Sequence, residues 1–244
     1  MGYLYPHQLL ILATIKLYIV IILFRFKFMR ISIIGMAGVG KTYYASMLSR
    51  DTDYKLISCD DLIAEMLAKE LASIGIKPNL ESITSWRGQP YEKRYRKNEQ
   101  LQIVNEQAVM ERVCGELDNL LEENIVVDTS GSVIYANSYV LSKLKALTLI
   151  IYIKAGTEHV KNLFTDEIIW RRPLIWGNSF LKTEYETNEN ALKRCFVNLF
   201  QWRSKEYERW ADVIISYETL KNNCKTAKQF LNLIEDKITE SSQS

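Results

Sequence analysis

Gly35-Met36-Ala37-Gly38-Val39-Gly40-Lys41-Thr42 is the stretch on which the reading of this chain turns. It meets the pattern G-x-x-x-x-G-K-[ST] at every fixed position. Arg30-Ile31-Ser32-Ile33-Ile34 before it reads as a buried strand, and Tyr43 to Leu48 after it as the first turns of a helix. Strand, glycine loop and helix together turn a row of backbone N–H groups and a helix N-terminus onto an anion. Glycine is needed where the backbone takes positive φ or comes close to a phosphate. In this arrangement Gly35, Met36, Ala37, Gly38, Val39 and Gly40 cradle the phosphates of ATP. Lys41 then reaches the β- and γ-phosphates, and the Thr42 hydroxyl binds Mg²⁺.

At 244 residues the chain has room for one α/β domain with insertions. A net charge of only +2 supplies no basic field, so nucleic acid is not expected as a partner. Cys59, Cys114, Cys195 and Cys224 are scattered without a C-x-x-C pair, and there are two histidines. That pattern argues against structural zinc and for a reduced, cytoplasmic setting. Residues 1–28 stand apart. Leu9 to Phe24 is nearly continuous apolar sequence, interrupted by Lys16 and followed by Arg25, Lys27 and Arg30. A membrane anchor would place that basic flank in the cytoplasm. A signal peptide lacks its small-residue cleavage site. A translation start at Met29 is favoured, because the strand beginning at residue 30 leaves no linker between a bilayer and the sheet. Membrane contact is expected only through residues 1–28, with the cytoplasmic face of a membrane, reached through residues 9–24, as the alternative location. The chain is expected to be a monomer.

Beyond residue 29 strand and helix patterns alternate. Lys55 to Ser58, Asn124 to Asp128, Leu147 to Ile153 and Asp212 to Ile215 read as further strands. Asp60 to Ser73 reads as one amphipathic helix, Gly75 to Pro90 as irregular, and Tyr91 to Glu122 as a long helix. A helix from about Glu218 to Lys237 closes the domain, before a frayed polar tail at 239–244. Short apolar strands separated by helices predict a five-stranded parallel sheet with right-handed crossovers, with active groups at the carboxyl ends of the strands.

Cys59-Asp60-Asp61 follows the second strand. Asp60 is placed either to cap the helix or to orient a substrate hydroxyl beside the phosphates. Asp128 ends the third strand and fits a second Mg²⁺-binding element, ahead of Thr129-Ser130-Gly131-Ser132. Arg96 lies in a helical pattern among Lys93, Arg94 and Lys97, where a solvated basic face is the simpler reading. Arg172, in Arg171-Arg172-Pro173-Leu174-Ile175, lies in a stretch of poor periodicity that reads as a flap. Arg203, with Tyr207, sits on the helix before the last strand.

Taken in order, these pieces resemble shikimate kinase. The phosphate loop, Asp60, Tyr95-Arg96-Lys97-Asn98-Glu99, the small-residue turn at Thr129 to Val133, Arg172-Pro173-Leu174-Ile175, and Arg203 with Tyr207 follow that family's sequence of motifs from about Arg30 to Lys237. The resemblance implies a three-layer P-loop kinase fold spanning residues 29–238, with an acceptor-binding insertion at about 61–122 and a lid at about 165–190. It implies ATP and Mg²⁺ as cofactors and a small carboxylated acceptor. Arg96, Gly131 and Arg203 would bind the acceptor, with the two arginines gripping its carboxylate. Asp60 would hold the attacking hydroxyl, and Lys41 and Arg172 would neutralise the transferring phosphoryl group. The expected reaction is conversion of shikimate to shikimate 3-phosphate.

The chain also departs from the family. Ser58 stands where an Asp assisting the metal is usual, and Thr129 and Ser130 replace two glycines of a triplet. Asp128 is expected to take the metal role lost at Ser58. Thr165 stands where an adenine-stacking arginine is usual. The spacings from Asp60 to Arg96 and from Arg172 to Arg203 are longer than the family's, in the regions where a changed substrate would show. Two alternatives stay open: a related kinase for another small molecule or a nucleoside monophosphate, and a non-catalytic nucleotide-binding protein. The absence of an Asn-Lys-x-Asp motif argues against a GTP switch.

Overall fold

The computed structural model describes residues 29–77, 79–120, 122–156, 160 and 173–241. The apolar segment 1–28, Thr165, Arg172 and the last residues of the tail lie outside them. β1 (Arg30–Ile34), β2 (Lys55–Ser58), β3 (Ile125–Asp128), β4 (Leu149–Lys154) and β5 (Val213–Ser216) form one sheet in the order β2-β3-β1-β4-β5, every pairing parallel. Ile31, Ile33, Ile34, Val126, Val127, Ile151 and Ile153 are buried, as strands covered on both faces require. From β1 the chain runs to one side to reach β2. After β3 it crosses back to β4, so β1 sits where the strand order reverses. Ligands of open parallel sheets bind at the carboxyl end of that point.

The crossovers follow from this order. α1 (Lys41–Asp51) links β1 to β2 and packs against the C-terminal helix α9 (Ala227–Ser241). The connections that run the other way carry α5 (Tyr95–Asn119), α6 (Ser138–Leu147) and α7 (Asn188–Trp210), and right-handedness places them on the opposite face. The result is a three-layer α/β fold with a five-stranded parallel sheet.

Several expected elements are corrected at their edges. The single helix from Asp60 to Ser73 is two, α2 (Cys59–Met66) and α3 (Ala68–Ser73), separated by Leu67 at φ −84°, ψ 0°. The stretch expected to be irregular contains α4 (Leu80–Arg87), started by the Asn79 side chain accepting from Ser82 N at 2.8 Å and ended at Gly88, φ 78°. The long helix begins at Tyr95 rather than Tyr91, because Gln89 to Tyr95 runs through turns. The closing helix is split into α8 (Tyr217–Asn223) and α9, and α9 continues through Thr239 to Ser241 rather than fraying at 239.

Candidate active site

The phosphate loop takes the conformation its glycines permit. Gly35, Gly38 and Gly40 all have positive φ (147°, 81° and 87°). A Cβ on Gly35 would come within 2.8 Å of the Ile153 carbonyl oxygen, so that position also lacks room for a side chain. α2, α4, α6, α7 and α8 each begin with a side-chain cap, from Ser58, Asn79, Asn137, Thr187 and Ser216. α1 begins on Gly40 with none, which leaves its first N–H groups free for an anion. Lys41 is buried and folds over its own loop, donating to the Met36 carbonyl at 3.2 Å. Beside the loop a cavity of about 240 Å³ is bordered by Gly38, Gly40, Tyr43, Tyr217, Lys221 and Lys225.

Charged groups gather at the same strand ends. Burial pulls the Lys41 ammonium below its ordinary range, and Asp60 and Asp128 oppose that pull. Burial pushes Asp60 up, against the attraction of Lys41. Burial likewise raises Asp128, against a hydrogen bond from the Thr42 hydroxyl and the charge of Lys41. Asp128 Oδ1 is buried and has no hydrogen-bond partner. Helix α2 is capped by Ser58 rather than by Asp60: Ser58 Oγ accepts from Asp61 N at 3.4 Å, and Asp60 stands in the first turn.

Arg203 reaches this group from α7. It is 2% exposed and donates to Gly131 O at 2.8 Å and to Ile175 O at 2.6 Å, with its guanidinium over the Tyr135 ring. Tyr207 donates to the same Gly131 carbonyl at 2.5 Å. Gly131 in turn lies against the phosphate loop, its Cβ direction 3.5 Å from Ala37 N. Lys41, Thr42, Asp60, Asp128, Gly131 and Arg203 therefore share one place.

Arg96 is elsewhere. Its side chain is 60% exposed, donates to Gly177 O at 2.6 Å and lies 3.5 Å from Glu99 Oε2. The reason lies in the chain after the lid motif. Glu99 Oε1 accepts from Trp176 N at 2.7 Å, from Gly177 N at 2.8 Å and from the Tyr95 hydroxyl. Tyr95 OH also donates to Leu174 O at 2.9 Å. Residues 174–177 are thus strapped to the start of α5, and Arg96 is part of the strap.

Two buried residues here were not anticipated. Glu106 on α5 is 1% exposed and accepts from the Ser130 hydroxyl and from Ser132 Oγ at 2.5 Å. Burial pushes its carboxyl up to about 7, against those two hydrogen bonds. Arg87, the last residue of α4, is 4% exposed. The available signal for Glu106 was spacing: Tyr95, Glu99, Gln102 and Glu106 continue N-terminally the same helical stripe as Val109, Val113 and Leu117.

A shikimate kinase from Aquifex aeolicus superposes with a TM-score of 0.51 at 22% identity, covering 85% of this chain and 96% of that one. The chain has the fold of the shikimate kinases. A second, the Acinetobacter baumannii shikimate kinase in complex with shikimate, superposes with a TM-score of 0.50 at 19% identity, covering 86% of this chain and 94% of that one. No family model matches the chain, and no curated protein matches it. At these identities the likeness to shikimate kinases extends to the architecture, and the chemistry has to be read from the side chains.

Proposed function

We propose that the protein is a kinase that transfers the γ-phosphoryl group of ATP to a hydroxyl of a small carboxylated metabolite, with shikimate the first acceptor to test. The observation that carries this reading is the convergence of Lys41, Thr42, Asp128, Asp60 and Arg203 at the carboxyl ends of β1, β2 and β3. Phosphoryl transfer asks mainly for alignment and charge stabilisation, and this set has a group for each task.

The open N-terminus of α1 and the loop amides would hold the phosphates. Lys41 would exchange the Met36 carbonyl for phosphate oxygens, which offsets the penalty of its burial. The nucleoside would extend into the cavity beside Tyr217. Asp60, its carboxyl raised by burial, suits the acceptor hydroxyl: it accepts that hydrogen bond and takes the proton as the oxygen attacks. Arg203 would hold the acceptor's anionic end. The strap at residues 174–177 covers the site and excludes water that would otherwise hydrolyse ATP. Arg172, just upstream of it, is proposed to assist Lys41 at the phosphoryl group.

The residues fit Mg²⁺. Thr42 and Asp128 offer oxygen ligands, and Asp128 Oδ1 is buried without a partner. Among the described residues no group of three or more His, Cys, Asp or Glu is placed to hold a metal by itself. That suits an ion held by one or two protein oxygens together with substrate phosphates. When bound, Mg²⁺ would neutralise charge on the β- and γ-phosphates.

The test is to incubate the protein with MgATP and shikimate and to look by mass spectrometry for an acceptor carrying one added phosphoryl group. The proposal expects that product in equal amount to ADP. ADP without it would contradict shikimate as the acceptor, and nucleotide binding without turnover would favour the non-catalytic reading.

A further inference from the structure

We propose that Arg87, together with Arg203, forms the grip for the acceptor's carboxylate, and that Arg96 serves the strap instead. This deepens the kinase reading and rests on it. Arg87 is buried at the end of α4, its Nε has no hydrogen-bond partner, and it makes no ion pair among the described residues. A buried guanidinium without a bonded partner is costly, and a ligand that completes its hydrogen bonds offsets that cost.

The surroundings of Arg87 point the same way. Tyr95, Arg203, Glu99 and Glu106 lie within electrostatic reach of it, and its own charge lowers the Asp60 carboxyl. Burial pulls the Arg87 guanidinium down to about 10 and the like charge of Arg203 adds to that pull, while Tyr95, Glu99 and Glu106 oppose it. Arg203 is bonded to two main-chain carbonyls and, among the described residues, to no carboxylate. The nearby acids are already engaged. Glu99 holds the backbone of Trp176 and Gly177, and Glu106 holds Ser130 and Ser132. Two buried guanidinium groups thus lie within electrostatic reach of each other, with no carboxylate among the described residues bonded to either.

A planar carboxylate between them would satisfy both forks, a bidentate match that lysines in their place could not make. Asp60 lies within electrostatic reach of both Arg87 and Lys41. The acceptor is therefore a compact hydroxy acid, its hydroxyl at Asp60 and its carboxylate at Arg87 and Arg203. Arg87 becomes the specificity-determining residue that the helical spacing of Arg96 did not suggest.

The test is calorimetric titration of two carboxylate probes, shikimate and citrate, into the full chain with excess MgADP. Wild type, Arg87→Met, Arg203→Met and Arg96→Met are compared. Arg87→Met and Arg203→Met are expected to weaken the tighter probe by about tenfold or more, the size of a lost charge-assisted hydrogen bond. Arg96→Met is expected to weaken it less than about threefold. Arg87→Met without probe is expected to melt no lower than wild type, because it removes a buried charge that has no bonded partner among the described residues. That separates a binding role from a structural one. If Arg87→Met does not fold, Arg87→Lys keeps the charge, loses the fork, and is expected to show the same loss. The inference is overturned if Arg96→Met abolishes binding while Arg87→Met does not, or if wild type binds neither probe. MgADP titrated alone reads the kinase proposal separately. Probe binding that depends on Arg87 without any MgADP binding would sink the kinase reading and keep the grip.

Discussion

Asp128 and Ser58 are paired across β3 and β2, and their side chains share a face of the sheet. A carboxylate moved by one strand would still reach an ion bound at Thr42, so the loss at Ser58 has a local remedy. Asp128→Ala is expected to abolish Mg²⁺-dependent turnover. Ser58→Ala removes only a long capping bond and should cost about 0.5–1 kcal/mol of stability with turnover nearly intact. Mg²⁺ titrations of ADP release for the two variants check this, and equal losses would contradict it. Glu106 carries a pH signature. Its folded-state pKa of about 7 lies above the ordinary 4.5, so the folded protein holds the proton more tightly than the unfolded chain. Wild-type stability therefore falls as pH rises from about 4.5 to about 7, by roughly 3 kcal/mol at most. Glu106→Gln should escape that fall. Its advantage in urea unfolding should grow across that window and stay level above it, and a difference independent of pH would contradict the assignment. The phosphate loop and Asp128 were legible because each is a short local pattern. Glu106 and Arg87 were not, because a buried Glu or Arg looks in sequence like any solvated charge until the turn after β3 and the end of α4 close around it.

Among the elements, α4 carries the largest surprise. Gly75 and Gly88 read as breakers, yet Asn79 and Gly88 are the start and stop signals of a helix only two turns long. Such a helix holds too few apolar positions to show a period. Its last residue is Arg87, so Gly88 also aims the proposed grip. A Cβ there would meet Glu92 Oε2 at 2.8 Å and Arg94 Nε at 2.9 Å, at a backbone φ of +78°. Gly88→Ala is expected to cost about 1–2 kcal/mol by denaturant unfolding and to weaken acceptor binding as well. The strap at residues 174–177 depends on another short motif. Glu99→Ala would leave Gly177 N without its acceptor and take one of two acceptors from Trp176 N and from the Tyr95 hydroxyl. The expected cost is about 2–4 kcal/mol, with tryptophan emission shifted to the red as buried Trp176 meets water. Unchanged emission would show that the strap is held by other contacts. The aromatic-Arg-x-x-Glu motif forms the first turn of α5, four residues after the start that the helical pattern suggested. What spacing could not reveal is that Glu99 would bind backbone amides and draw Arg96 with it.

For the molecule as a whole, the sheet was the most legible part. The Ile- and Val-rich runs at β1, β3 and β4 read as strands buried on both faces, and parallel order then follows from the helices between them. Helix boundaries were less legible, since Leu67 and the Cys224 to Thr226 turn break helices without glycine or proline. Among the described residues no helix is long and apolar enough to cross a membrane, and the apolar run at 9–24 lies outside them. The layout brings the phosphate loop, Asp60 and the buried Arg203 together from β1, α2 and α7. The proposed joining of two ligands there is open to a direct kinetic reading. The deciding measurement is steady-state ADP release from MgATP with and without shikimate, by wild type and by Lys41→Met. The account predicts release that rises with shikimate in the wild type and is absent in Lys41→Met. Release in wild type that ignores the acceptor, or that survives in Lys41→Met, would contradict it.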